Sequence, residues 1–185
     1  GNVAMGNASL DSGSSSGNFN TAIGSTSLTD NTSGASNVGV GYGSLANNTT
    51  GGSNTAMGVI SLEANQTGSN NVALGTQALA ANTGSNNTAF GYQSLVLNTS
   101  GTYNTAVGTL ALDANQTTNS NTAIGYAALG VNVASNNTAV GTSALDANTS
   151  GATNVAVGVA ALGANKTASN NIAVGASALS TNTSG

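Results

Sequence analysis

One short phrase recurs from end to end of this chain, and a chain built that way has few folds open to it. Aligned on the Asn that precedes "TAxG" or "VAxG", the copies open at Asn2, Asn20, Asn37, Asn54, Asn71, Asn87, Asn104, Asn121, Asn137, Asn154 and Asn171. The intervals are 18, 17, 17, 17, 16, 17, 17, 16, 17 and 17 residues. With the opening Asn as position 0, position 1 is Thr, Val or Ile, and position 2 is Ala except at Gly39. Position 3 is large and apolar: Met5, Ile23, Val40, Met57, Leu74, Phe90, Val107, Ile124, Val140, Val157, Val174. Position 4 is Gly, position 7 Ser or Ala, position 8 Leu, and position 11 Asn in every copy but the first, where Gly13 stands. The length changes fall after the Leu, so that part of the unit is a loop.

A 17-residue unit is too short for a helical repeat, which needs about 30 residues for two helices and their turns. Gly and Asn at fixed places also weaken helices. Each unit offers one β-favouring stretch at positions 1–3 and a second apolar stretch ending in Leu, joined by loops of Asn, Ser, Thr and Gly. The expected fold is all-β: a parallel β-solenoid of eleven coils, each stacked about 4.8 Å from the next. Residues 1–185 form a single repeat array, expected to be an excerpt of a longer fibre because no polar cap is visible at either end.

Stacking assigns the positions. The Leu ladder (Leu28, Leu45, Leu62, Leu79, Leu95, Leu112, Leu129, Leu145, Leu162, Leu179) and the position-3 ladder should fill a thin core. Alternation along a strand puts position 2 on the other side from positions 1 and 3. The Ala ladder (Ala22, Ala56, Ala73, Ala89, Ala106, Ala123, Ala139, Ala156, Ala173) is therefore expected to face outward, as a flat surface buried between chains. Asn20, Asn37, Asn54, Asn71, Asn87, Asn104, Asn121, Asn137, Asn154 and Asn171 should stack as hydrogen-bonded corners, where Asn tolerates left-handed backbone. The position-4 Gly should turn with positive φ or allow close backbone approach.

The phrase "N-[TV]-A-Ω-G-x-x-[SA]-L-x-x-N-T-[TS]-G", where Ω is the large apolar residue, resembles the head repeats of YadA-type trimeric autotransporter adhesins. It is also similar to the "NTAxGxxAL…NTTG" arrays of phage tail-fibre proteins. The resemblance spans all eleven units and implies a left-handed coil and a homotrimer. The 17-residue period is longer than the adhesin repeat.

Composition removes most chemistry. The chain has one Lys, no Arg, no His and no Cys; its five acidic residues, Asp11, Asp30, Glu63, Asp113 and Asp146, are scattered in sequence. Lys166 alone cannot neutralise a nucleic-acid backbone. No His, Cys or carboxylate cluster suggests a metal or cofactor, and no acid–base pair suggests an enzyme. Apolar runs are too short to span a membrane as a helix. The remaining candidates are "N-x-[ST]" sequons at Asn31, Asn48, Asn65, Asn98, Asn115, Asn148, Asn165 and Asn182, which would line one edge with N-linked glycans. Tyr42, Tyr92 and Tyr126, each after the repeat Gly, are candidates for stacking a sugar. The expected function is a structural, self-associating fibre at a cell or virion surface. A segment binding a surface glycan or receptor, and an ice-binding solenoid displaying Thr21, Thr55, Thr88, Thr105, Thr122 and Thr138, are the alternatives.

Overall fold

The computed structural model describes residues 1–13 and 16–183. Its strands are β1 (Val3–Met5), β2 (Thr21–Ile23), β3 (Val38–Val40), β4 (Thr55–Met57), β5 (Val72–Leu74), β6 (Thr88–Phe90), β7 (Thr105–Val107), β8 (Thr122–Ile124), β9 (Thr138–Val140), β10 (Val155–Val157) and β11 (Ile172–Val174). They form one parallel sheet in chain order. Register is position on position, as in Thr105 beside Thr122, Ala106 beside Ala123 and Val107 beside Ile124. Each repeat is thus one coil of a β-solenoid, about 17 residues per turn, without a helix among the described residues.

The second apolar stretch is a turn, and the sheet has no opposing partner sheet. Its Leu sits in left-handed backbone, with φ 52° at Leu112, and so does the residue two before it, with φ 58° at Leu110. An L-residue pays roughly 1–2 kcal/mol for that conformation. Here it aims successive N–H groups along the rod. Leu112 donates to Ala128 O in the next coil at 3.0 Å, and Leu110 to Tyr92 O in the previous one at 3.1 Å. The wall opposite the sheet is therefore knitted coil to coil by backbone hydrogen bonds, as the sheet is.

The core is the reverse of the expected one along the strand. Ala22, Ala56, Ala73, Ala89, Ala106, Ala123, Ala139 and Ala156 are fully buried within the single chain, and Ala173 nearly so. They pack on the Leu ladder, buried from Leu28 to Leu162; Leu179, in the last coil, is exposed. The Ala ladder therefore faces no partner chain, and the position-3 residues are not core: Met57, Phe90 and Ile124 are 45%, 55% and 40% exposed. Positions 1 and 3 do share a side, but it is the outer one. The cause is interior width. A Cβ on Gly39 would lie 2.5 Å from Ser27 Oγ and 3.1 Å from Ser44 Oγ, so the position-7 wall lies hard against position 2, and only the smallest side chains occupy it.

This division predicts a contrast. Leu112→Ala should cost about 2–5 kcal/mol through lost burial and a residual cavity. Val107→Ala, on the outer face, should cost the isolated chain under about 1 kcal/mol. Urea unfolding followed by circular dichroism reads both. Equal losses would mean that position 3 is core after all.

Candidate functional site

Two asparagine ladders run the length of the rod inside it. In the first, the backbone N–H of each position-0 Asn donates to the side-chain Oδ1 of the Asn one coil earlier. The row is continuous from Asn20 on Asn2 to Asn171 on Asn154, including Asn104 on Asn87 and Asn121 on Asn104, both at 3.0 Å. The Nδ2 of the same residue reaches across its own coil to a carbonyl three residues past the position-11 Asn: Asn37 to Gly51 O and Asn54 to Gly68 O, at 2.8 and 2.9 Å. Both Oδ1 and Nδ2 are thereby committed, which is what allows a fully buried amide. Neither ladder uses left-handed backbone. The positive φ falls on the residue before each opening Asn, such as Ser120 at 58°. The asparagines are selected for their side-chain bonds, and the expected corner role passes to their neighbours.

The second ladder is the sequon series. Asn48 Nδ2 donates to Asn31 Oδ1 at 2.8 Å and to Gly51 O at 3.0 Å; Asn65, Asn98, Asn115, Asn148 and Asn165 donate to the preceding rung in the same way. Asn31, Asn48, Asn65, Asn98, Asn115, Asn148 and Asn165 are completely buried. A glycan would have to be built on the Nδ2 that holds the rung, so the expected N-linked row is incompatible with this fold. Asn182, in the last coil, is half-buried. Residues that follow these asparagines, such as Thr50, Thr67 and Thr117, are exposed on that edge.

The ladders also bear on the glycines that follow the position-11 Asn, such as Gly34, Gly51, Gly68 and Gly101. A Cβ on Gly51 would meet Asn48 Oδ1 at 2.5 Å, so Gly there keeps the carbonyl within reach of both amides. Coil 7 (residues 104–120) substitutes Thr118, whose hydroxyl donates to Asn115 Oδ1 and accepts from Asn121 Nδ2.

The outer surface carries the only other groupings. Tyr42, Tyr92 and Tyr126 all stand exposed at position 5. The position-1 threonines are half-buried between exposed apolar residues, so they form no uniform hydroxyl face. Asp113 and Asp146, far apart in sequence, meet over coil 8 (residues 121–136). A Cβ on Gly130 would lie 3.1 Å from Asp146 Oδ1 and 3.6 Å from Asp113 Oδ1. Burial pushes both carboxyls above their usual range, and the charge of Asp146 raises Asp113 further. A repeat sum of 17 and 16 residues was the sequence signal for this pair. Among the described residues no three His, Cys, Asp or Glu side chains group as a metal would require, no pocket opens, and no helix is long and apolar enough to cross a membrane. No protein-family model, curated protein or solved structure matches the chain.

Proposed function

We propose that the chain is a non-catalytic structural rod, a shaft or head segment of an extracellular fibre at a cell or virion surface. Its copies associate side by side, as a homotrimer, through the outer face of the sheet. One observation carries the reading: the outward position-3 row from Met5 to Val174, exposed at Met57, Phe90 and Ile124 and half-buried at Val40, Leu74, Val107 and Val140. Ten coil spacings of about 4.8 Å by a residue width of roughly 13 Å make a strip on the order of 600 Å². Its position-3 side is apolar throughout, whereas its position-1 side mixes Thr with Val or Ile. The strip approaches the roughly 800 Å² that each partner gives to a standard interface. No charged residue interrupts it: Asp11, Glu63, Asp113 and Asp146 are at position 9, Asp30 at position 10, and Lys166 at position 12. A second copy of the same uncharged strip is its natural complement.

Sedimentation equilibrium should give a multiple of the 17.5 kDa chain mass, threefold for the trimer. The double variant Phe90→Glu, Ile124→Glu should sediment as a monomer with an unchanged circular dichroism spectrum, since both side chains lie outside the fold. A wild-type chain that sediments as a monomer, or a variant that still assembles, would refute the association.

A recognition role is the second reading, favoured by the three exposed tyrosines on one line. Tyr42→Ala, Tyr92→Ala and Tyr126→Ala together would then abolish binding to a glycan array while leaving the assembled mass unchanged.

A further inference from the structure

The coils are not bonded equally, and the weaker junctions fall at the two short coils. At most junctions the loop edge is closed by consecutive backbone N–H groups converging on one carbonyl of the next coil. Thr49, Thr50 and Gly51 all donate to Gln66 O, at 2.9, 3.0 and 3.3 Å; Thr99, Ser100 and Gly101 do the same to Gln116 O. Coil 5 (residues 71–86) and coil 8 are one residue shorter in this loop. Their backbone cannot align with the 17-residue coil before them. The N–H groups of Gln66, Thr67 and Gly68, and those of Gln116, Thr117 and Thr118, accordingly make no hydrogen bond to the coil that follows.

The sequon ladder breaks at the same two places. Asn82 and Asn132, in the short coils, turn their Nδ2 to their own loop, to Gly84 O at 2.8 Å and Ala134 O at 2.6 Å, and donate nothing to Asn65 or Asn115. Asn65 Oδ1 is left buried without a partner, whereas Asn115 Oδ1 is satisfied by the Thr118 hydroxyl. The junction from coil 10 to coil 11 differs. Asn165 Oδ1 is unpaired there as well, but Lys166 and Thr167 still reach Thr183 O, at 3.3 and 3.4 Å.

We propose that the coil 4/5 and coil 7/8 junctions are joints built into the rod. They divide it into blocks at residues 1–70, 71–120 and 121–183. Each joint keeps its sheet, its Leu turn, its position-0 Asn rung and one loop bond, Ser69 N–H on Ser85 Oγ or Asn119 N–H on Ser135 Oγ, but lacks the sequon rung and the converging N–H groups. The 4/5 joint is the weaker, because Thr118 closes part of the other. In a solenoid each coil contacts only its neighbours, so a weak junction uncouples what lies on either side. A fibre jointed in this way yields stepwise under heat or load, in blocks of four, three and four coils, and does not unravel as one unit. The inference rests on bonds within one chain and does not depend on self-association.

Hydrogen exchange on the full chain, read by mass spectrometry of overlapping peptides, tests it. Amides 66–68 and 116–118 should exchange at least about tenfold faster than amides 49–51 and 99–101, which occupy the same positions in closed junctions. In mild urea, residues 1–70 should open as a unit separate from residues 71–120. Inserting one Thr after Asn82 gives coil 5 the loop length of coil 3. It should slow amides 66–68 to the rate of 49–51 and merge the first two blocks. Thr118→Ala should speed exchange on both sides of the 7/8 junction by about tenfold. Amides 66–68 as protected as 49–51, or an insertion variant that folds with their exchange unchanged, would overturn the proposal. If the insertion does not fold, Thr118→Ala decides: unchanged exchange at the 7/8 junction overturns it equally.

Discussion

Gly108→Val is expected to destabilise the middle of the rod, at a cost of about 2–6 kcal/mol. Two effects add. Gly108 holds φ at 132°, well beyond the left-handed well that Leu112 uses, in backbone open to Gly and strained by roughly 1–3 kcal/mol for anything else. A Cβ there would also lie 2.5 Å from Gly125 O and 2.7 Å from its carbonyl carbon. These atoms are backbone of the next coil, and they cannot swing aside as a side chain would. Relieving the overlap means prising coils 7 and 8 apart, which breaks bonds such as Gly125 N–H on Val107 O and adds a further 1–3 kcal/mol or so of overpacking strain. Gly43→Ala is the matched control. Gly43 has φ 66°, its nearest foreign atom would be Ile60 Cγ1 at 3.7 Å, and other coils hold Thr26 or Gln77 at the same place. It should cost only about 1–2 kcal/mol, for a Cβ in left-handed backbone. Urea midpoints of the two variants separate the explanations. If both behave alike, close backbone stacking is not what selects the repeat Gly.

Much of this architecture is legible in the sequence because stacking converts identity at a position into a ladder. The period defines the coil, the constant Leu the buried wall, and the recurring Asn the polar rungs. Which face of β1–β11 points inward is not legible in the same way. Period-two alternation says that position 1 goes with position 3 and against position 2, and it says nothing about which side is interior. The usual presumption, large apolar residues inside, fails in a coil this narrow. The wall made by Ser27, Ser44 and their equivalents touches the strand, so Ala is the core residue and Phe90 the surface one. The left-handed Leu escapes for a different reason. Propensity argues against Leu112 at positive φ, and only the bonds it makes to the neighbouring coil, which exist once the stack exists, offset the strain. Interruption of the ladders at Asn82 and Asn132 is written in the 16-residue intervals, but its consequence depends on alignment of loop backbones between coils.

Asn104→Asp should make the rod stable in acid and markedly weaker at neutrality. Asn104 is fully buried. Its Oδ1 accepts the Asn121 N–H at 3.0 Å, and its Nδ2 donates to Thr118 O at 2.8 Å. A carboxyl in its place keeps the acceptor. It keeps the donor only while protonated; once ionised it sets a charged oxygen against the Thr118 carbonyl in a buried site. Burial and that carbonyl both raise the folded-state pKa above the unfolded value of about 3.9. A raised carboxyl favours the folded state below the unfolded pKa and loses that advantage as pH climbs through the folded one. The variant should thus approach wild-type stability near pH 3.5 and fall short by about 3–4 kcal/mol at pH 7, the equivalent of two to three pKa units. The wild-type background tilts the same way, though weakly: Asp113 and Asp146 are also raised by burial, so the comparison is variant minus wild type at each pH. Asn104→Leu, close in size but unable to donate or accept, leaves the Asn121 N–H without an acceptor and should be destabilised at both pH values. If instead the two variants lose the same stability at both, the Asn ladder holds the coils by shape. If only the leucine variant is weak in acid, it holds them by hydrogen bonds, one donor and one acceptor per coil.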